Sequence, residues 1–178
     1  MFAKKLAKPN RPFPVIDILI PGHLPYLRAL DLEAYGLEFC WGRDRWHQEL
    51  SQQHVAGRVA RLDGQIVGFS LYAMMRGYYS LQRLVVAESW RRQRIGTDLM
   101  NCLKIQVQNH EHPHGITAVI PETFDAAALW LQDQGFDAVL SRGWFGARDG
   151  YAFAYAGAKP TPVRHLTVSL HNRVAQHF

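Results

Sequence analysis

The chain has 178 residues, of which 48% are hydrophobic and 20% are charged, and its formal net charge is +5. This composition fits one folded domain and excludes a disordered chain, a collagen-like repeat and a disulfide-rich miniprotein. No apolar run approaches the roughly 20 residues of a transmembrane helix, so we expect no membrane contact. Cys40 and Cys102 could form one disulfide, but two thiols and the lack of a secretory signal favour a cytoplasmic protein.

The positive charge is concentrated at the two ends of the sequence. Residues 1–12 hold four bases and no acid, and residues 159–178 hold three bases and no acid, which leaves 13 bases and 15 acids between them, a net −2. We therefore expect a basic N-terminal arm over 1–14, a folded domain over 15–156 and a basic C-terminal extension over 157–178. The tails could contact nucleic acid or a ribosome, and a strand in the extension could pair two subunits in a homodimer.

Hydrophobic periodicity and turn residues predict the elements in chain order. The predicted strands cover residues 15–20, 55–62, 65–75, 79–87, 116–120, 136–141 and 151–155. The predicted helices cover residues 23–35, 43–53, 95–107 and 125–134. Gly36 should end the first helix, and Asp63-Gly64 is a strong hairpin signal. The order βααβββαβαββ predicts an α/β fold, of the α+β kind, with a mixed, largely antiparallel sheet flanked by helices.

The most informative segment is Leu81–Met100, with the sequence LQRLVVAESWRRQRIGTDLM. An apolar strand runs through a short turn that holds three arginines into an amphipathic helix. Free N–H groups and a partial positive charge at the helix start, together with the guanidinium groups, suit a phosphate or pyrophosphate. The alternative interpretation is a solvated basic helix start with no ligand.

Arg91-x-x-Arg94-x-Gly96 resembles the pyrophosphate motif Gln/Arg-x-x-Gly-x-Gly/Ala of the GCN5-related N-acetyltransferase (GNAT) family. The resemblance spans about residues 13–156 and is nearest to bacterial ribosomal-protein alanine N-acetyltransferases. Supporting segments are PGHLPYLRALDLEAYG, FCWGRDRWHQEL, DGQIVGFSLY and PETFDAAALWLQDQGFDAV. The resemblance implies a GNAT-type fold and an acyltransferase that moves an acetyl group from acetyl-CoA directly to an amine, with a protein N-terminus as a candidate acceptor.

The resemblance also implies where acetyl-CoA binds. The main chain of residues 84–86 would pair with the pantetheine arm, the backbone of 92–97 would hold the pyrophosphate, and the Val86 amide would be a candidate oxyanion donor. The cofactor-binding residues predicted in this way are Leu84, Val85, Val86, Arg91, Arg92, Gln93, Arg94, Ile95, Gly96 and Thr97.

Several positions depart from the pattern of the family. Arg94 replaces the first glycine of the motif, Val119 stands where a glutamate acts as base, and Leu131 stands where a tyrosine acts as acid; Phe124 replaces an asparagine. The alternative to an active enzyme is therefore a degenerate, non-catalytic acyl-CoA-binding or interaction module on the same fold. We predict Glu122 as the catalytic base, against the alternative of an exposed loop acid, and assign no acid.

Aromatic residues mark the expected acceptor groove. By resemblance, the region of the first two helices and the loop before the last strand flank this groove, and Trp41, Trp144 and Phe145 are the predicted substrate-binding residues. Ordinary packing is the alternative for Trp41, and a role as a loop anchor is the alternative for Trp144 and Phe145. The three histidines of residues 110–114 are spaced by two around a proline, in a loop expected to lie away from the cofactor, so we predict no metal.

Overall fold

The computed structural model describes residues 13–109, 115–145 and 148–157, and the side chains of residues 140–149 lie outside this description. The strands are β1 (Val15–Ile18), β2 (Val55–Leu62), β3 (Gln65–Met75), β4 (Tyr78–Val86), β5 (Gly115–Pro121), β6 (Asp137–Phe145) and β7 (Arg148–Ala156). The helices are α1 (Leu24–Phe39), α2 (Arg43–Leu50), α3 (Ile95–Asn109) and α4 (Asp125–Asp133). None of these helices is long and apolar enough to cross a bilayer.

The strands form one sheet in the order β1-β2-β3-β4-β5-β7-β6. Every neighbouring pair is antiparallel except β4 and β5, which are parallel. A parallel pair needs a crossover connection, and α3 supplies it. The predicted α/β fold, its mixed, largely antiparallel sheet and its element order are all confirmed.

The core lies on both faces of the central strands. In β3, every residue of 67–73 is buried, which requires cover on both sides of the sheet. One apolar cluster joins the sheet to α1 and α2 around Trp46 and Phe69, both with no exposed surface. Another joins it to α3 and α4 around Met100 and Leu131. The helices are thereby fixed against β4, the strand on which the site is built.

Two glycine positions show where local chemistry sets the chain path. Asp63 and Gly64 have φ of +50° and +81°, as a two-residue type I′ hairpin requires, so the predicted hairpin is confirmed. Gly36 has φ +66° and ψ 178°, which is not helical, so the first regular stretch of α1 ends at Tyr35. The chain kinks at Gly36 and makes one further turn to Phe39, with the Cys40 N–H donating to the Gly36 carbonyl at 3.0 Å. The prediction that Gly36 ends the first helix is therefore confirmed, and a separate turn follows it.

Candidate active site

The two parallel strands at the centre of the sheet separate soon after they pair. Their pairing ends at Leu81 and Ala118, whereas β4 continues to Val86 and β5 to Pro121. On its other side β4 stays paired with β3 as far as Val86. Beyond Leu81, the N–H and C=O groups of β4 that face β5 therefore have no ladder partner. Such an edge can bond an extended ligand through its main chain.

A β-bulge lies where the separation begins. Leu71 pairs with Arg83 and Tyr72 pairs with Leu81, so Gln82 is the extra residue on β4. A bulge bends its strand and increases the local twist, which turns β4 away from β5. The Gln82 side-chain oxygen is buried in this wall and has no hydrogen-bond partner among the described residues. It is therefore available to a polar ligand.

Two cavities meet at the gap. The first, of about 100 Å³, lies beside α4 and is lined by Trp130 and Leu131 of that helix. The second, of about 440 Å³, lies beside the α1–α2 connection and is lined by Glu38, Trp41 and Arg45. The wall residues common to both are Phe39, Leu81, Gln82, Arg83 and Val119. Groups bound in the two cavities would therefore approach each other across β4.

A buried ion pair holds the wall between the cavities. The Arg83 Nε lies 2.9 Å from the Asp31 Oδ1, and Asp31 has no exposed surface. Arg83 also donates to the carbonyls of Phe39 at 2.9 Å and Gln82 at 3.2 Å. Burial raises the pKa of the Asp31 carboxyl, and the Arg83 charge and the Trp41 N–H offset part of that rise. The Arg83 guanidinium thus connects β4 to α1 at two points, Asp31 and the last residue of the helix, Phe39.

Aromatic rings enclose the same guanidinium. Arg83 Cζ lies 4.5 Å from the ring centroid of Tyr35 and 4.3 Å from that of Trp41. The Trp41 N–H donates to the other Asp31 oxygen at 2.7 Å, and Arg45 Cζ lies 4.5 Å from the ring centroid of Trp41. Cation–π contacts strengthen when they are removed from water. The predicted substrate residue Trp41 is itself buried, and it lines the second cavity.

Tyr35 brings a hydroxyl to the unpaired edge of β4. Its side chain lies near the Leu84 N–H, one of the groups that face the gap, and lines the first cavity. Burial raises the pKa of the Tyr35 hydroxyl, while the Arg83 charge and the Leu84 N–H act in the opposite direction. The hydroxyl is therefore protonated at neutral pH.

The start of α3 has no side-chain oxygen at its N-cap position. The Arg94 carbonyl accepts the first helical bond, from the Asp98 N–H at 2.9 Å, so Arg94 is the N-cap residue. An arginine has no side-chain oxygen to bond the N–H groups of the first turn, which stay available to an anion. Arg92 and Arg94 have φ of +56° and +66°. The turn thus takes a left-handed conformation at the position where the resembled motif has glycine.

Gly96 packs α3 closely against β4 and α4. A Cβ at this position would lie 3.5 Å from both Leu84 Cδ2 and Trp130 Cζ2 and 3.7 Å from Val86 Cγ2. These are ordinary contact distances. In the turn before the helix, the Arg91 Nε donates to the Val86 carbonyl at 3.1 Å. This arrangement brings the predicted cofactor residues of β4 together with those of residues 91–94, the arginine turn, along one side of the gap.

The other predicted site residues lie further from the gap. Glu122 is exposed in the turn after β5, one residue past Pro121, the last residue of β5 in the cavity lining. Trp144 and Phe145 were expected in a loop, but that placement was wrong: they end β6, because its pairing with β7 extends to Phe145. Their side chains lie outside the described residues.

The histidines of residues 110–114 also lie outside the described residues. Within the described ranges, no group of three or more His, Cys, Asp or Glu side chains could hold a metal ion.

Sequence reasoning missed the cluster of Asp31, Tyr35, Gln82 and Arg83. The available signals were an arginine inside the apolar run LQRLVV and an acid on the apolar side of α1. Charged residues in such positions are rarely buried unless they are paired. The sequence does not show which acid pairs with which base, because the partners lie far apart along the chain.

Separated parallel strands beside an uncapped helix start define a site for a ligand with an extended arm and an anionic group. This arrangement fits the acyltransferase class that the sequence resembles. The model of the acetyltransferase (GNAT) family matches residues 24–136, well over half of the chain, and the chain belongs to that family. No curated protein matches the chain significantly in sequence.

Solved structures share the fold at low sequence identity. The ribosomal-protein-S18-alanine N-acetyltransferase of Escherichia coli superposes with a TM-score of 0.70 at 14% identity, covering 84% of this chain and 97% of that one. Arabidopsis thaliana NAA60 in complex with acetyl-CoA gives 0.70 at 15%, with 80% and 99% covered. Arabidopsis thaliana Naa50 with a bisubstrate analogue gives 0.66 at 14%, with 80% and 98% covered.

Proposed function

We propose that this chain transfers an acetyl group from acetyl-CoA directly to an amine, and that the acceptor is the N-terminal amine of a protein or peptide. The observation that carries the proposal is the unpaired edge of β4 beside the open N-terminus of α3. The similar structures include an S18 alanine acetyltransferase and an Naa50 complex with a bisubstrate analogue, and these support this acceptor class. The free thiols of Cys40 and Cys102 are consistent with a cytoplasmic location.

The residues present fit acetyl-CoA. The main chain of Leu84–Val86 would bond the amides of the pantetheine arm, and the first N–H groups of α3 with the neighbouring arginines would hold the pyrophosphate. Acetyl-CoA supplies the activated thioester. Strand alternation directs the Leu84 and Val86 N–H groups to the same side, toward the gap, so each is a candidate oxyanion donor.

An attacking ammonium must lose a proton before its nitrogen can attack. Glu38 lines the larger cavity, beside Trp41. Glu122 lies beyond the end of β5 and would have to act through water. We therefore place the acceptor amine in the larger cavity with Glu38 as a base candidate, and Glu122 stays a prediction from the sequence.

A non-catalytic acyl-CoA-binding module is the second candidate function. Val119 and Leu131, which stand at the positions of the family's base and acid, both line the smaller cavity and make its wall apolar there. A chain that retained only the cofactor half of the site would bind coenzyme A and leave amines unchanged.

One experiment separates the two functions. The protein is incubated with acetyl-CoA and peptides that vary in their first residue, and release of free thiol and the mass of the peptide are followed. An increase of one acetyl group on the N-terminal amine, lost when that amine is blocked, supports the transferase. Tight binding of coenzyme A by calorimetry without any acetylated peptide supports the module, and absence of binding rejects both.

The basic tails add predictions that depend on other residues. Contact with nucleic acid or a ribosome would use residues 1–12 and 159–178, and a homodimer would use a strand of the C-terminal extension. All these segments lie outside the described residues. Both stay predictions.

A further inference from the structure

The smaller cavity contains one hydroxyl, at an informative place. Among its lining residues, Tyr35 alone carries a hydroxyl, and the other ionisable side chain is Arg83. Tyr35 and Leu84 line this cavity together, and the hydroxyl lies near the Leu84 N–H, so a group that bonds this amide from the gap lies next to the hydroxyl. A phenol carries a proton that it can donate.

We propose that Tyr35 is the catalytic acid, which protonates the sulfur that leaves when the thioester is cleaved; this inference rests on the acetyltransferase function proposed above. The amine nitrogen forms its bond to the acetyl carbon as the carbon–sulfur bond breaks and sulfur keeps the bonding pair. Tyr35 gives its proton to that sulfur, so coenzyme A leaves as a neutral thiol. The tyrosinate then regains a proton from solvent, and the new amide releases the extra proton of the amine to solvent.

The surroundings of Tyr35 suit this exchange. The Arg83 guanidinium lies 4.5 Å from the ring centroid and would stabilise the transient tyrosinate, as would the Leu84 N–H. Asp31, on the same helix, opposes ionisation, and burial keeps the resting hydroxyl protonated. Phe124 packs on the ring with centroids 5.5 Å apart and helps to fix its position. The apolar Leu131 leaves the role of acid to be filled from α1.

The test compares Tyr35→Phe with Tyr26→Phe, a control on the same helix whose side chain is 59% exposed. The first readout is the pKa of the thiol of bound coenzyme A. It is measured from the absorbance of the thiolate, with desulfo-coenzyme A as the blank. Loss of a hydrogen bond to the thiolate should raise that pKa by about one unit in the Tyr35 variant. The control should match the wild type. This readout needs no acceptor, so it decides the placement of Tyr35 even where no peptide is acetylated.

The second readout uses whichever peptide the wild type acetylates. Tyr35→Phe should lower kcat about a hundredfold with little change in the KM for acetyl-CoA, and should remove the alkaline limb of the kcat profile. An unchanged thiol pKa overturns the proposal. An undiminished kcat with tighter coenzyme A binding also overturns it, because the Tyr35 side chain would then only cover the Leu84 N–H. If the variant does not fold, fluorotyrosine at position 35 should move the alkaline limb to lower pH, and an unmoved limb rejects the assignment.

Discussion

Arg94 has a left-handed backbone, with φ +66°, immediately before α3. For a residue with a Cβ this conformation costs about 1–2 kcal/mol, and the structure keeps it because the turn must present the first N–H groups of the helix. The resembled motif has glycine here, which adopts the same backbone without that cost. The chain therefore pays stability to place a guanidinium beside the anion site.

This strain predicts that Arg94→Gly stabilises the protein. Glycine removes the cost of the left-handed conformation, but its greater freedom in the unfolded chain offsets part of that gain. The free energy of unfolding should therefore rise by up to about 1 kcal/mol. The melting temperature should rise by about 2–4 °C. Arg94→Ala is the matched control, because alanine loses the same charge but keeps a Cβ. Equal melting temperatures for the two variants would contradict the explanation.

At the residue scale, the sequence predicts a group of consecutive site residues better than a group of residues that meet only in the folded chain. The arginine turn could be found because its ligand groups are consecutive. Asp31, Tyr35 and Arg83 could not be grouped, because their meeting depends on how α1 packs on β4. The left-handed backbone of Arg94 could be suspected only from the resemblance, since arginine itself has no preference for it.

At the scale of elements, β4 is the strand against which other parts of the site are fixed. β3 approaches it at Gly68, where an added Cβ would lie 2.8 Å from the Val85 carbonyl oxygen. α3 approaches it at Gly96, where an added Cβ would only reach ordinary contact distances. Both positions lie near the Val86 side chain, at 3.4 and 3.7 Å from the added atom. The same substitution should therefore have opposite effects at the two glycines.

We expect Gly96→Ala to be tolerated and Gly68→Ala to be damaging. Alanine in α3 fits the available space and gains up to about 1 kcal/mol of helix propensity, so stability and coenzyme A binding should be kept or improved. Alanine in β3 must push β4 toward the gap, which should cost about 1–3 kcal/mol and weaken coenzyme A binding. Chemical denaturation and calorimetry measure both effects. Equal losses in the two variants would show that the close approach of β3 is not what holds the site.

The elements themselves were largely predictable. Apolar spacing gave α3 and α4, and Asp63-Gly64 gave the β2–β3 hairpin, because these signals are local. The bulge at Gln82 and the early end of β4–β5 pairing were not predictable, since LQRLVV has the same strand pattern whether or not its edge is paired. The gap that makes the site comes from the partner strands, not from β4 alone.

At the scale of the whole molecule, the charge of the chain has two separate locations. Residues 13–158 hold 13 bases and 15 acids, and within them Arg91, Arg92 and Arg94 gather at the start of α3. The tails hold seven bases and no acid. A phosphate of coenzyme A and the backbone of a nucleic acid are both polyanionic, so total charge does not distinguish the two interactions, whereas the location of the bases does.

Removal of residues 1–12 and 159–178 should separate these interactions. The affinity for coenzyme A should stay unchanged, because the groups that would bind it lie in the described domain. Binding of a generic RNA, whose logarithmic salt slope grows with each phosphate contact, should be lost, since the remaining domain has a small negative charge. A full-length variant with Arg91, Arg92 and Arg94 changed to Ser provides the reciprocal control, with coenzyme A affinity lost and RNA binding largely kept. If salt-dependent RNA binding survives in the shortened chain, the RNA site lies at the arginine turn. RNA and coenzyme A would then compete for that turn.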